Sequence, residues 1–309
     1  MEQIFFKTLE QTVLIFIFML AGAFLKWKKL MPDNAAGVLS KLEMYIILPC
    51  LNFKSFATNF RRETLDTSGN MMLAGLILML LLTGLSLILS RLFAKERNER
   101  DIYVYSFVVP NYGYIGYALM LAMYGDLMQF NMMAFAIPFA CFIYSIGMYL
   151  LSPHKVWNLK KFLNPTFVSI LLGMLVGILD IPLPNLILET AEKASVCMAP
   201  IAMLISGLVI ASRSIKSLIG DAKIYVASAI RLLILPLAGL GACLALHLPQ
   251  DITTVIVLFL AMPMGLNTVV FPEAEGGDST PGAKMALVSN VCGIVTIPLV
   301  LSLLGTLVG

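Results

Sequence analysis

Two short stretches hold the groups that could do chemistry. Residues 108–116 read Val108-Val109-Pro110-Asn111-Tyr112-Gly113-Tyr114-Ile115-Gly116, and residues 261–267 read Ala261-Met262-Pro263-Met264-Gly265-Leu266-Asn267. Each sets a proline, an asparagine and glycine inside a long apolar run. Proline has no N–H and its ring clashes with the carbonyl four residues back, so backbone groups are freed where lipid cannot satisfy them. Those groups need protein, water or a solute. If each break starts a half-helix whose N-terminus points at the membrane midplane, unpaired N–H groups and two positive dipole ends converge there and attract an anion. Asn111 and Asn267 add donors and acceptors without a fixed charge. The candidate binding set is therefore Pro110, Asn111, Tyr112 and Gly113 with Pro263, Gly265 and Asn267. One such stretch reads equally well as a proline kink with a capping asparagine. A second copy favours a site.

Arg231 joins the set on other grounds. It stands about nine residues into an apolar run, ~13 Å of helical rise, where a charge costs about 2.5–3.5 kcal/mol if truly central. One reading has it snorkel to the headgroups; the other has it attract an anionic substrate or pair with Glu43.

Other chemistry is not visible. There is no Gly-x-x-x-x-Gly-Lys-Ser/Thr phosphate loop for ATP hydrolysis and no Gly-x-Ser-x-Gly nucleophile, so an enzyme is not expected. His154 and His247 fall in connections without metal-ligand spacing, and Cys50, Cys141, Cys197, Cys243 and Cys292 read as small buried hydrophobes. No cofactor or metal is expected. Acidic residues gather at segment ends, so no deeply buried proton-carrying carboxylate is expected. Uniport, sodium coupling through carbonyls and hydroxyls, and proton coupling through the solute itself all stay open.

The elements that must position these stretches follow from composition. Of 309 residues 59% are hydrophobic and 13% charged, against about 25% charged in soluble domains. Met71 to Ser90 and Ile252 to Phe271 carry no charge, and each is about the 20 residues that cross a hydrocarbon core. The fold class is an all-α membrane protein in a lipid bilayer. Apolar runs predict helices at 11–26, 37–57, 70–91, 102–121, 129–151, 164–180, 187–211, 222–246, 252–272 and 281–307. The odd connections hold fifteen basic residues and the even side five. The positive-inside rule then puts both termini outside the cytoplasm, most simply in the cell membrane. The net charge of +3 implies no nucleic-acid partner.

Interrupting prolines recur at a fixed offset: Pro49 and Pro200 are 151 apart, Pro110 and Pro263 are 153 apart, and Gly22 with Gly177 fits the same shift. Five is odd, so a second copy of five helices must enter the membrane inverted. The expected architecture is ten transmembrane helices in two inverted five-helix repeats, 1–151 and 164–309, joined by a short cytoplasmic connection at 152–163. Helices four and nine are the broken crossover pair. Such a site suits a carrier for a small anion; a channel or a membrane receptor would use the same features.

Three stretches resemble the auxin efflux carrier family of the bile acid/auxin/arsenite transporter superfamily. They are Leu20 to Lys26 running on through Lys41-Leu42 to Tyr45-Ile46-Ile47-Leu48-Pro49; Asn111 to Gly116 with Tyr124-Gly125; and Ala261-Met262-Pro263 through Asn267 to Glu273-Ala274-Glu275-Gly276-Gly277-Asp278. The resemblance spans nearly the whole chain. It implies a carrier whose broken helices four and nine surround the substrate, with one helix bundle moving like an elevator against another. Asn111, Asn267, Pro110 and Pro263 match the family's crossover positions. The resemblance also implies a homodimer and organic-anion substrates such as auxin, malate or malonate. The short connection from Ser152 to Asn164 departs from the long-looped plant members and is closer to a bacterial dicarboxylate carrier.

Overall fold

A computed structural model of the chain describes residues 2–155, 163–212, 220–274, 278 and 280–308. Among them the chain is helical, and its one ladder contact is an isolated antiparallel bridge between Pro110 and Met264. The helices are α1 Glu2–Trp27, α2 Ala35–Asn59, α3 Leu65–Phe93, α4 Arg97–Val108, α5 at 112–124, and α6 Asp126–Leu151. The remainder are α7 Pro165–Ile178, α8 Asn185–Ala211, α9 Ala222–Ala245, α10 Gln250–Ala261, α11 Asn267–Ala274 and α12 Thr280–Leu307.

Seven helices among the described residues, in α1, α2, α3, α6, α8, α9 and α12, are long and apolar enough to cross a membrane; α7 and α10 are apolar but shorter. Their outward faces suit lipid. Leu80, Leu81, Ile88 and Leu92, all on α3, are each 60% exposed or more. The helix ends differ from the sequence reading because hydropathy sees only the apolar middle of a helix. Thus α1 begins at Glu2 rather than 11, burying Thr8 on its extra turns.

Local chemistry sets several ends. Asn164 accepts a hydrogen bond from the Phe167 N–H at 2.9 Å, and Pro165 follows at the first helical position. Gly125, at φ 84°, makes the left-handed turn between α5 and α6. Wide π-turns interrupt α2 at Glu43–Ile47 and α9 at Ile230–Ile234. Each directly precedes a Leu-Pro pair, Leu48-Pro49 and Leu235-Pro236. The wider turn relieves the proline ring's clash with the preceding helical turn.

Glycines bring helix backbones together. A Cβ on Gly22 would lie 2.2 Å from the Leu204 carbonyl oxygen, and one on Gly207 would lie 1.9 Å from that of Met19, so α1 and α8 touch backbone to backbone. Gly173 and Gly177 do the same for α7 against Phe53 on α2 and Phe60 just past its end, as does Gly75 on α3 against Phe135 on α6. Polar ties at the helix ends sort by side. In the expected ten-helix order, Lys26–Asp33, Lys155–Asp101 and the Lys223 bond to the Phe93 carbonyl fall on odd connections, whereas Lys54–Glu192 and Arg61–Asp180 fall on even ones.

Candidate functional site

The two proline stretches leave helical geometry as their chemistry requires. α4 ends at Val108 and α10 at Ala261, and the next helical residues are Tyr112 and Asn267. Residues 109–111 and 262–266 are not helical. The breaks meet directly: the Asn111 N–H donates to the Pro263 carbonyl at 2.7 Å, next to the Pro110–Met264 bridge. The Met264 N–H donates to Ser289 Oγ on α12 at 3.0 Å. Gly265 permits this approach, since a Cβ there would come within 3.2 Å of the Val109 carbonyl oxygen.

Beside the contact lies a cavity of about 110 Å³, room for several waters or one small solute. Pro110, Asn111, Tyr112, Gly113, Gly265 and Asn267 line it, together with Glu43 and Asn52 of α2, Tyr144 of α6 and Thr166 of α7. Six of the candidate residues thus share one wall. Pro263 is not in that wall; its carbonyl serves the bridge. Asn111 is 2% exposed and its Nδ2 lies 3.5 Å from Asn290 Oδ1, a long contact, while Asn267 Nδ2 donates to Tyr105 Oη at 2.9 Å. Tyr112, Gly113 and Asn267, in the first turns of α5 and α11, line this cavity, so the N-terminal ends of both helices, the positive ends of their dipoles, lie beside it.

Arg231 sits apart from the cavity wall. It is 0% exposed, so it does not snorkel, and among the described residues it forms no ion pair with Glu43. Its guanidinium donates instead to three carbonyls: Nη1 to Phe107 at 3.2 Å, Nη2 to Phe259 at 3.3 Å and Nε to Met262 at 3.3 Å. Those carbonyls lie at the C-terminal ends of α4 and α10, the negative ends of their dipoles. One cation therefore ties the two half-helices that stop at the breaks.

Residues 7–155 and 151–301 match the family described as "Membrane transport protein". The chain belongs to the auxin efflux carrier family. It is similar to "Uncharacterized transporter YfdV" of Escherichia coli K12, 23% identical over 298 residues that cover 92% of this chain and 94% of that one. It is also similar to an "Uncharacterized transporter" of Methanothermobacter thermautotrophicus, 24% identical over 310 residues covering 96% and 98%. The chain is a multi-pass membrane transporter, and its family and relatives point to a transport role.

Two expectations about this carrier need correction. The sequence placed Glu43 at a helix end and expected no buried carboxylate. In the fold Glu43 lies eight residues past Ala35, is 1% exposed, lines the cavity, and has no hydrogen-bond partner on either carboxylate oxygen. The depth count that singled out Arg231 would have found it. The cysteines are also not uniformly buried. Cys243 is, Cys50, Cys141 and Cys292 are half-buried, and Cys197 is exposed on α8. Among the described residues no group of three His, Cys, Asp or Glu side chains could hold a metal ion. The expected Glu275-Gly276-Gly277 stretch of the third motif lies outside the described residues.

A second cavity of about 440 Å³ is lined by Lys54, Asn59, Asp126, Gln129 and Glu192, and shares Tyr117 and Met198 with the first. Those two side chains border both cavities.

Proposed function

We propose that this protein is an elevator-type secondary carrier of a small organic anion such as malate, malonate or an auxin-like carboxylate, working in the cell membrane as a homodimer with both termini outside the cytoplasm. The observation that carries the reading is the meeting of two broken helices, sealed by the Asn111 to Pro263 backbone bond, at a cavity edged by two helix N-termini. Such a place stabilises negative charge through fixed N–H dipoles and needs no resident cation.

The ten-helix inverted repeat fits the packing. Exchanging the two halves turns an α1 to α8 crossing at Gly22 into an α7 to α2 crossing at Gly177, and both are backbone contacts. The sorting of polar ties into odd and even connections supports the proposed sidedness. The cavity lies where α2, α7 and α8 face the crossover and α6, so sliding one group along the other would carry a solute across.

In proteoliposomes, uptake of labelled malate, malonate or indole-3-acetate should saturate. Asn111→Ala and Asn267→Ala each remove a neutral donor to a charged ligand, worth about 1.5–3 kcal/mol, so kcat/KM should fall roughly 10- to 150-fold. Wild-type uptake in both variants would reject the site.

A further inference from the structure

Among the described residues Glu43 is the one acidic side chain in the cavity wall, and that wall contains no Lys, Arg or His. Both of its carboxylate oxygens lack a hydrogen-bond partner, as does the buried Ser40 Oγ one turn earlier on the same helix. The titratable groups facing it from the neighbouring helices are phenols, Tyr114 on α5 and Tyr144 on α6. Among the described residues the other helices packed on this turn bring no cation to it. On α2 itself Lys41 is exposed and Lys54 is tied to Glu192; on α8 Glu189 and Lys193 are exposed; α7 contributes Thr166 and no titratable group. A carboxylate in this setting can be ionised only at a high desolvation cost, so its charge has to be completed by something that comes and goes. The π-turn that begins at Glu43 aims it at the cavity and is the kind of backbone irregularity found at functional sites.

Taking the anion-carrier reading as its basis, we infer that Glu43 is the proton carrier of the cycle. Its carboxylate takes a proton from water on one side, the acid and the anion occupy the cavity together, and the proton returns to water on the other side as the anion leaves. The coupling is electrostatic and reciprocal. An ionised Glu43 repels an anion in the same low-dielectric cavity, so protonation tightens anion binding and bound anion favours protonation by the same factor. A proton rather than a sodium ion is favoured by the donor set: one carboxylate suffices to hold a proton, whereas a metal cation needs several oxygens around it at once.

The test compares wild type with Glu43→Gln, an uncharged isostere, and with Glu43→Asp, which keeps a titratable group. Labelled malonate, malate and indole-3-acetate serve as probes in proteoliposomes. Where Glu43 titrates, the apparent affinity of wild type should weaken by up to tenfold per pH unit as pH rises. The ratio of wild type to Glu43→Gln isolates this from titration of the solute. An inward acid gradient should drive accumulation in wild type and Glu43→Asp. In Glu43→Gln it should not, while anion exchange persists. An infrared pH-difference spectrum should show a carboxyl band that Glu43→Gln lacks. A Glu43→Gln protein with the wild-type pH profile and gradient-driven accumulation overturns the inference, as does uptake that needs sodium and ignores the proton gradient. If wild type moves none of the three anions the carrier reading fails by itself. The infrared band then still decides whether Glu43 binds a proton, and its absence overturns the inference independently.

Discussion

Arg231→Met is expected to lower the stability of the purified carrier by a few kcal/mol and to abolish most of its transport. Two effects oppose each other. Removing the guanidinium relieves the desolvation of a buried charge that has no carboxylate partner, a penalty of several kcal/mol in real proteins. It also strips three carbonyls, those of Phe107, Phe259 and Met262, of a charged donor. Each such bond is worth about 1.5–3 kcal/mol, and each orphaned carbonyl carries its own desolvation cost. Three bonds outweigh one ion, leaving a net loss on the order of 2–3 kcal/mol. Arg231→Lys should fall between, because an ammonium keeps the charge at the helix C-termini but lacks the planar fork that reaches three acceptors. Thermal melting in detergent together with uptake per folded protein measures both effects. A methionine variant that melts and transports like wild type would remove Arg231 from the account of the crossover.

Transport should suffer more than stability. The three carbonyls lie where α4 and α10 stop at the breaks, so without the guanidinium the relative position of 109–111 and 262–266 rests on one backbone bond, the Ser289 and Asn290 side chains of α12 and the Asn267–Tyr105 bond. The proposed site, built on backbone N–H groups, loses its geometry with its frame. High salt should not reproduce the effect, because a guanidinium that is 0% exposed is beyond the reach of mobile ions.

What the sequence disclosed, and what it withheld, follows from how local each cause is. The breaks were legible because a proline inside an apolar run disturbs its own helix whatever surrounds it. Their mutual contact was legible only through the repeated offset, which paired Pro110 with Pro263 before any distance was available. Asn111, Gly265 and Asn267 came with them. Arg231 could be flagged as deep but not explained, since its acceptors stand 28, 31 and 124 residues away along the chain. Glu43 was named only as a partner for Arg231, because Ser40 and Lys41 beside it make that stretch read as a polar helix end. What buries it is the overlay of α5, α6, α7 and α8, and that is tertiary. Ser289 and Asn290, which brace the breaks from α12, carried no local mark beyond being polar in an apolar helix. Gly22 and Gly177 stood out at the offset of the expected repeat, yet the helices they face, α8 and α2, follow from no spacing rule.

Those glycines set the second large expectation. At Gly207 even alanine fails, since its Cβ would sit 1.9 Å from the Met19 oxygen and 2.7 Å from the Ala23 nitrogen. These are backbone atoms with no rotamer to yield, so α1 and α8 must separate along their crossing. Between helices in lipid the attraction is mostly close packing, which falls steeply with a gap of half an ångström. Gly207→Ala should therefore cost about 1–3 kcal/mol and Gly207→Leu more. Ordinary helix propensity points the other way, favouring alanine over glycine by about 1 kcal/mol. The sign of the change thus reports the contact itself. Gly84→Ala, on a helix where a Cβ would meet nothing within 4 Å, is the control and should leave the melting temperature unchanged or raised. Gly22→Ala strikes the same crossing from the other side, against the Leu204 oxygen. Once one Cβ has forced the helices apart the second finds room, so the double variant should lose clearly less than the sum of the singles. Additive losses would mean that the two glycines guard separate contacts, and α1 would then not be held to α8 as one rigid pair.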